Sequence, residues 1–390
     1  MSKIGELIAN YCPGRVDIRQ LSEIGEFIRG SGLQKSDLRD SGVPAVHYGQ
    51  LHTHYGVWAE ATKSFTDEAT AAKLRRARPG DLLIATTSED DDAVAKATAW
   101  LGGEDVVLSG DAYIYRHHLD PKYVSYFFQS TSFDEQKRKH ISGTKVRRIS
   151  GAALGTIRIP VPSLDVQREI VQVLDQFTRL EAELKAELEA ELEARRCQYE
   201  YYRVVLLKSS DDAGVRDVSL GEIIRLNFGA RITKKDNAGT IYPVYGGGGE
   251  SFRTDAFNRE DEWVVSRFAM SANCVRRVTG KFWMLDSGFT FDVIDASVDK
   301  DFVGQLFLSM QPIIFTTSTQ SAQKNIDVDG FRRLRVQLPS LEVQGKVASA
   351  LANFDGILNN LSSGLSAELD LRRKQYEYHR DLLLTFEEAR

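Results

Sequence analysis

Two stretches of this chain repeat apolar residues at three- and four-residue steps, with polar residues between them. In the first, Ile170, Leu174, Phe177, Leu184, Leu188 and Leu192 follow that rhythm, and Glu fills most of the intervening positions from Glu181 to Glu193. In the second, Val347, Leu351, Phe354, Leu358, Leu361 and Leu365 do the same. The spacing predicts two long amphipathic helices, each with a narrow apolar seam. From Leu164 to Lys208 such a helix would run roughly 65 to 70 Å at the standard rise. A helix that long has no core of its own, so the two are expected to pair seam to seam as an antiparallel coiled coil. Pro162 and Pro339 end the strands before them, and Ser163 and Ser340 stand where an N-cap oxygen is wanted.

The two stretches are copies. Pro162-Ser163-Leu164-Asp165-Val166-Gln167 returns as Pro339-Ser340-Leu341-Glu342-Val343-Gln344, with Gln344 standing 177 positions after Gln167. The same offset, without a gap, pairs Arg195-Arg196-Cys197-Gln198-Tyr199-Glu200-Tyr201 with Arg372-Arg373-Lys374-Gln375-Tyr376-Glu377-Tyr378, then Arg203 with Arg380 and Leu206-Leu207 with Leu383-Leu384. A period this long means two repeated domains and not a solenoid of short units. The Glu-rich run up to Glu193 reads as a solvated helix face.

Ahead of each helix lies a block, residues 15–160 and 213–337, and the two resemble each other weakly but in order. Leu21-Ser22-Glu23-Ile24 with Gly30 matches Leu220-Gly221-Glu222-Ile223 with Gly229, and both blocks close on an alternating strand, Ile157–Val161 and Leu334–Leu338. Strands are expected at Asp81–Ala85 and Trp263–Ser266 and at Ala112–Tyr115 and Gly288–Phe291, with short helices near Pro121–Ser130 and Lys300–Met310. Polar or glycine-rich loops are expected at Tyr48–Thr53, Thr86–Glu89 and Tyr245–Gly249, and a helical stretch from Ala93 to Trp100 after the acidic turn Asp90-Asp91-Asp92. Loops on a rigid sheet are where recognition usually sits.

A chain of 390 residues holds two or three domains. A net charge of −5 argues against attraction of nucleic acid over the whole surface, though acidic helices can mask local basic faces. Cys12, Cys197 and Cys274 fit neither a metal-ligand spacing nor a disulfide framework. No signal-peptide core or membrane-length apolar run is present, so a cytoplasmic chain without membrane contact is expected. Gly280-Lys281 precedes Phe282 and Gly345-Lys346 precedes Val347, so neither is a P-loop. There is no Asn-Pro-Pro-Tyr type loop for methylating a flipped base and no Gly-x-Ser-x-Gly elbow. The histidines form no i, i+4 metal pair. Basic clusters remain: Lys73 to Arg78, Lys137 to His140 and Lys145 to Arg148 in the first block, and Arg225, Arg231, Lys234, Lys235, Arg276, Arg277 and Lys281 among others in the second. Each could be a solvated face, but their presence in both blocks of an acidic chain favours a duplex-binding face on each.

In this arrangement the chain resembles the specificity (S) subunits of type I restriction-modification systems. The resemblance covers essentially the whole chain. It rests on the doubled Pro-Ser-Leu-(Asp/Glu)-Val-Gln entry, the doubled Arg-Arg-x-Gln-Tyr-Glu-Tyr-x-Arg exit, Tyr11-Cys12-Pro13-Gly14-Arg15-Val16 and the strand Pro79–Ile84. Arg267-Phe268-Ala269-Met270 departs from it where such domains often carry a glycine. The implied fold is α+β: two mostly-β target recognition domains separated by two long antiparallel coiled-coil helices, with an internal pseudo-twofold duplication. The corresponding boundaries are 1–160 and 213–337 for the recognition domains and 161–212 and 338–390 for the helices.

The resemblance further implies a non-catalytic reader of a bipartite, gapped double-stranded DNA site, whose helices set the spacer between half-sites. The helices would dock methyltransferase (M) subunits, two of them, and the complex would recruit restriction (R) subunits. No cofactor is expected on this chain, since S-adenosylmethionine, ATP and Mg would sit on the partners, and no homo-oligomer is expected. Base edges would be read by Tyr48, Gln50, His52, Thr86, Ser88, Thr144 and Lys145 in the first block. In the second they would be read by Tyr245, Gly246, Gly248, Arg267, Ser271, Gln323 and Lys324. Among these, Lys145 is expected to act on all sequences alike and Gln50 on one base position. Arg195, Arg196, Tyr199 and Arg203, with Arg372, Arg373, Tyr376 and Arg380, are the expected partner-binding residues. The rival readings are a coiled-coil adaptor without DNA specificity, which leaves two basic loop-rich blocks unexplained, and a self-contained DNA-modifying enzyme, which the missing motifs oppose.

Overall fold

The structure, a computed structural model, describes residues 16–208, 215–246, 249–267, 274–317, 325–386 and 388. The two seams form helices Leu164–Lys208 and Leu341–Leu383. The chain divides into two units, one holding the described residues up to Ala186 and those from Ala367 on, the other Glu187–Ser366. Each unit therefore combines one mostly-β block with part of both long helices. Among the described residues no helix is long and apolar enough to cross a membrane.

The first unit opens with Asp17–Gln20 paired antiparallel to Arg158–Val161, the strand that leads into the first long helix. A one-turn helix, Leu21–Ile24, turns the chain into a five-stranded sheet. Its spatial order is Gly25–Arg29, Ala112–His117, Leu82–Ala85, Ala97–Trp100, Trp58–Ala59. A four-stranded sheet holds Ser64–Thr66, Val43–Val46, Val106–Leu108 and Arg76–Ala77. Leu82, Ile84, Tyr115, Tyr123 and Phe127 form a core that continues onto Ile170 and Leu174 of the long helix.

The second unit repeats the entry, with Arg216–Ser219 antiparallel to Arg335–Leu338 and the short helix Leu220–Ile223 after it. Its six-stranded sheet runs Ile224–Phe228, Gly288–Val293, Arg259–Ser266, Val275–Met284, Tyr242–Tyr245, Glu250–Thr254. Gly30 and Gly229, matched in the sequence, meet one requirement in both blocks. A Cβ there would stand 2.1 Å from Ser109 O and 2.2 Å from Leu285 O, so only glycine lets the strands approach.

Three expectations of local structure are corrected, the first at Thr86–Glu89, where Thr87–Ser88 is a two-residue strand held by pairing with Arg147–Arg148 and not loop. Tyr48–Thr53 is a helix and not a loop. His47 caps it, accepting from Gly49 N through Nδ1, and the Gln50 side chain returns to His47 N. Ala97–Trp100 is a strand buried along its whole length, not part of a helix. Ala95, at φ 63°, turns the chain just before it. A short apolar run has no periodicity to choose helix or strand, and here the neighbouring strands Leu82–Ala85 and Trp58–Ala59 decide.

The repeated Pro-Ser-Leu motif ends on a buried glutamine that explains it. Gln167 Oε1 accepts from Asp120 N at 2.9 Å while Nε2 donates to Pro162 O at 2.8 Å. Gln344 does the same, accepting from Asp299 N at 2.8 Å and donating to Pro339 O at 2.8 Å. Asp120 and Asp299 also N-cap the short helices Pro121–Phe127 and Lys300–Ser309. One amide thus ties the incoming strand, the first turn of the long helix and a helix of the block. The expected caps Ser163 and Ser340 sit beside it, 3.5 Å from Val166 N and Val343 N.

Within the first unit the two long helices run antiparallel. Phe177 stacks with His379 and meets Tyr376, while Ile170 and Leu174 share a core with Leu383 and Leu384. In the second unit the equivalent partners are Phe354 with Tyr199 and Tyr202, and Val347 and Leu351 with Leu206 and Leu207.

Replacing Gln344 by Ala leaves the Asp299 amide and the Pro339 carbonyl without their partner. We expect a loss of about 2 kcal/mol, seen as a lower urea midpoint, with Gln344→Glu recovering little because a carboxylate cannot donate to Pro339 O. An unchanged midpoint for Gln344→Ala would remove the glutamine from its structural role.

Candidate nucleic-acid interface

In the first block the candidate residues gather along one side of the sheet through main-chain contacts. Tyr48 N donates to Ser109 Oγ at 2.8 Å, which seats the Tyr48–Thr53 helix. His52 Nε2 lies 2.9 Å from Thr87 O, and Lys96 Nζ donates to His52 O. Thr86 is buried, donating to Asp111 O and accepting from Ile149 N. Thr87–Ser88 pairs antiparallel with Arg147–Arg148. Beyond that pairing, Gly143 at φ 96° closes a tight loop whose Thr144 and Lys145 are exposed. Tyr48, His52, Thr86 and Ser88 are thus brought onto one connected frame, with Thr144 and Lys145 at its outer tip.

Side-chain freedom differs among them. Both ends of the Gln50 amide are engaged, Oε1 with His47 N at 2.9 Å and Nε2 with Ser64 Oγ at 2.7 Å. Arg147 pairs with Asp91 at 2.9 Å and Arg138 with Asp92, so the acidic turn serves neighbouring cations. Arg148 is exposed beside them. Among the described residues no cluster of His, Cys, Asp or Glu could hold a metal ion.

In the second block Tyr245 ends its strand with its carbonyl accepting from Leu285 N and its ring edge-on to Phe282. Ser266 Oγ lies 3.5 Å from Gly246 O and accepts from Arg276 at 2.9 Å. Arg267 N donates to Ser287 O, and its guanidinium lies 5.9 Å from the Phe228 ring centroid. Tyr245, Gly246 and Arg267 therefore meet around the Leu285–Ser287 turn, at the rim of the sheet. Gly248, Ser271, Gln323 and Lys324 lie outside the described residues. Arg276, counted in the sequence only as one basic residue among many, is half-buried at this edge, and burial lowers its pKa. Strand pairing across Trp263–Ser266 brings it there, which spacing in the sequence does not show.

The helix residues separate by direction. Tyr199, Arg203 and Arg380 are buried in their own units, and Tyr376 is half-buried. Arg203 pairs with Glu200 at 2.8 Å and lies 4.3 Å from the Tyr199 ring centroid. Arg195 and Arg372 are exposed in matching settings, each 2.8 Å from Glu191 or Glu368 and 3.3 Å from Gln198 or Gln375. Arg196 is exposed, and Arg373 pairs with Glu377. Two residues absent from the sequence-based set stand out on these faces: Tyr201 and Tyr378, 66% and 65% exposed. The signal for them was helical phase, since extending the seam from Leu192 places Tyr199 and Arg203 on it and Tyr201 off it.

The profile of the type I restriction modification DNA specificity domain matches residues 13–194 and again 213–371. The chain belongs to that family. It is 30% identical over 210 residues to the EcoprrI specificity subunit of Escherichia coli, a match covering 52% of each chain. It is 28% identical over 303 residues to the EcoR124I/EcoR124II specificity subunit of Escherichia coli, covering 68% of this chain and 70% of that one. The match thus spans about half the length of the former relative. Among solved structures, a chain of a type I R-M system studied for its assembly and conformational transition superposes with a TM-score of 0.72 at 14% identity, covering 96% and 98% of the two chains. The HsdS subunit from Thermoanaerobacter tengcongensis superposes at 0.55, also 14% identical, covering 96% and 97%. These likenesses show the fold.

Burial lowers the pKa of His47 and His52 at the first edge, and that of His117 in the sheet beneath to about 4. An imidazole held below its unfolded value of 6.5 leaves the unfolded chain binding more protons in between. Its contribution to stability is complete above about pH 6.5 and is lost as pH falls toward 4. Thermal melts between pH 7 and 4.5 should show this fall, with His117→Gln flattening it by on the order of 2 kcal/mol and His52→Gln by less. A variant profile that keeps the full wild-type slope would contradict the assignment.

Proposed function

We propose that this chain is the non-catalytic reader of a bipartite, gapped double-stranded DNA site within a type I restriction-modification assembly. The reading bodies would be residues 1–160 and 213–337, and the helical segments 161–212 and 338–390 would hold methyltransferase and restriction subunits. The observation that carries this is the doubled specificity domain: one latched frame, repeated, presents two different sets of side chains at its two edges. A shared frame with divergent edges is what two half-sites of different sequence require.

In the first block base reading falls to Tyr48, Ser88 and Thr144, with His52 and Thr86 shaping the edge. Gln50 supports the helix that carries Tyr48. Lys145 and Arg148 take phosphates. In the second block Tyr245, Gly246 and Arg267 read, and Arg276 beside them takes phosphate. Sequence recognition is tested by co-expressing the chain with its genomically adjacent methyltransferase subunit and mapping methylation. A gapped two-part motif that appears only with this chain supports the reading, and methylation without a motif sinks it. Lys145→Ala should weaken binding to target and random duplexes alike and lower the salt dependence by about one ion, whereas Arg267→Ala should relax preference in one half-site only. Equal loss for all sequences from both variants would count against Arg267 as a reader.

Docking of methyltransferase subunits falls to the exposed faces that the repeat preserves. Tyr201 with Arg195 and Gln198, and Tyr378 with Arg372 and Gln375, present the same groups in the same internal settings. Faces that match in these groups suit copies of one partner, which supports two methyltransferase subunits per chain. Tyrosine anchors with adjacent arginine are the usual centres of such contacts. Tyr201→Ala and Tyr378→Ala should each remove one of the two copies in native mass spectrometry, through a loss of about 2 kcal/mol or ~30-fold in affinity per face. Retention of two copies by both variants would place the contact elsewhere.

A further inference from the structure

Each unit has a groove between its β block and a long helix, and the two grooves occupy equivalent places in the repeat. The first is walled by Trp58 and by Val171, Gln172, Asp175, Thr178 and Arg179. The second is walled by Trp263 and by Ala348, Ser349, Ala352, Asp355 and Gly356, the same helix positions one repeat later. Their linings have opposite character.

The first groove is already bridged. Lys122 Nζ lies 2.7 Å from Asp175 Oδ2 and 3.8 Å from the Trp58 ring centroid, and Arg168 and Arg179 add positive charge. In the second groove Lys122 is replaced by Asp301, which accepts from Trp263 Nε1 at 2.7 Å. Gly345 and Gly356 stand in place of the two arginines, and Ala352 in place of Asp175. What remains is a cavity of about 730 Å³ lined by Asp299, Asp301 and Asp355 with Arg277, and Asp355 also lies 3.8 Å from Arg203, which pairs with Glu200.

A buried polar atom at this groove lacks a partner. Gln305, 3% exposed, lines the groove and donates through Nε2 to Asp355 Oδ2 at 3.1 Å, but its Oε1 makes no hydrogen bond. Its counterpart in the first unit, Tyr126, uses its hydroxyl on both Asp175 and Thr178. A buried acceptor left unpaired is costly, and a donor brought into the groove would relieve that cost.

We propose that the second groove docks one basic α-helix of a protein partner, and that the first groove does not. Gly345, Ala348, Ser349, Ala352 and Gly356 fall at helical steps over about 16 Å, so the axis of a second helix can come close. Counting Glu200 with the three carboxylates against Arg277 and Arg203 leaves the groove net negative, which sets the charge of the occupant as positive. Lysine or arginine on its inner face reaches Asp301 and Asp355, and one donor meets Gln305 Oε1. The repeated tyrosine faces bind the same partner twice, whereas this groove occurs once and gives the duplicated frame a polarity. The inference goes beyond sequence recognition and does not depend on it.

The test uses the full chain and a fluorescein-labelled helical peptide of alanine and lysine, with its glutamate counterpart as control. Binding is read by anisotropy, and its location by a photocrosslinker placed at position 349 or, in the equivalent groove, at 172. Gly356→Arg restores the first groove's residue. A Cβ at Gly356 meets nothing within 4 Å, so the helix accepts it, and Ser349→Arg serves as a second filling variant. We expect saturable binding of the lysine peptide with one equivalent, cross-linking from 349 and not from 172, and affinity at least about tenfold weaker for both filled variants. Equal binding of the glutamate peptide, unchanged affinity in the filled variants, cross-linking from both positions, or no saturable binding would each overturn the proposal. Because no DNA or methyltransferase is present, none of these outcomes bears on the recognition of DNA.

Discussion

A single buried amide at the head of each long helix is the contact on which both halves of this chain depend. Gln167 and Gln344 each accept from the backbone of the block and donate to the proline carbonyl that ends the incoming strand. Because both ends of the amide are satisfied, its burial carries no orphan polar group. No other common side chain both donates and accepts at that reach, since Glu cannot donate and Leu can do neither. The entry to the helix therefore stays nearly identical in the two copies, while the sheets attached to it diverge.

That constraint leaves the edges free to differ. Each sheet holds its edge in place largely by main-chain bonds, Thr86 to Asp111 and Ile149 in one block and Arg267 to Ser287 and Ile326 in the other. Side chains at the edge carry little of the framework and can change without unfolding it. The close approaches at Gly30 and Gly229 are the exceptions, because they depend on the absence of a side chain. A frame made of backbone contacts and a few obligatory residues also accounts for a shared fold at 14% identity.

The long helices divide their surfaces by the same logic. Their inner face carries Tyr199 and Arg203, which reach Phe354 and Asp355 of the other helix, and Tyr376, which reaches Phe177 and Thr178, and these contacts join the helices within each unit. Their outer faces repeat exposed tyrosine and arginine in matched settings. Between block and helix, by contrast, the two grooves share a place and not a chemistry.

The sequence by itself determined the elements whose signal is long or repeated. The seams marked both long helices because apolar spacing over many turns has one interpretation, and the offset between Gln167 and Gln344 marked the duplication because internal identity needs no structure to be seen. The strands expected at Asp81–Ala85 and Trp263–Ser266 are found at Leu82–Ala85 and Arg259–Ser266, though the latter begins four residues earlier than its apolar run. Only the tertiary structure decided the short elements, since Tyr48–Thr53 and Ala97–Trp100 are too brief for periodicity and take their form from a cap and from neighbouring strands. It also decided which side chains are spent internally and which are free. Gln50 and Tyr199 look as available as Ser88 and Tyr201 along the chain, but burial and hydrogen-bond partners belong to packing across distant segments, and spacing along one chain does not encode them.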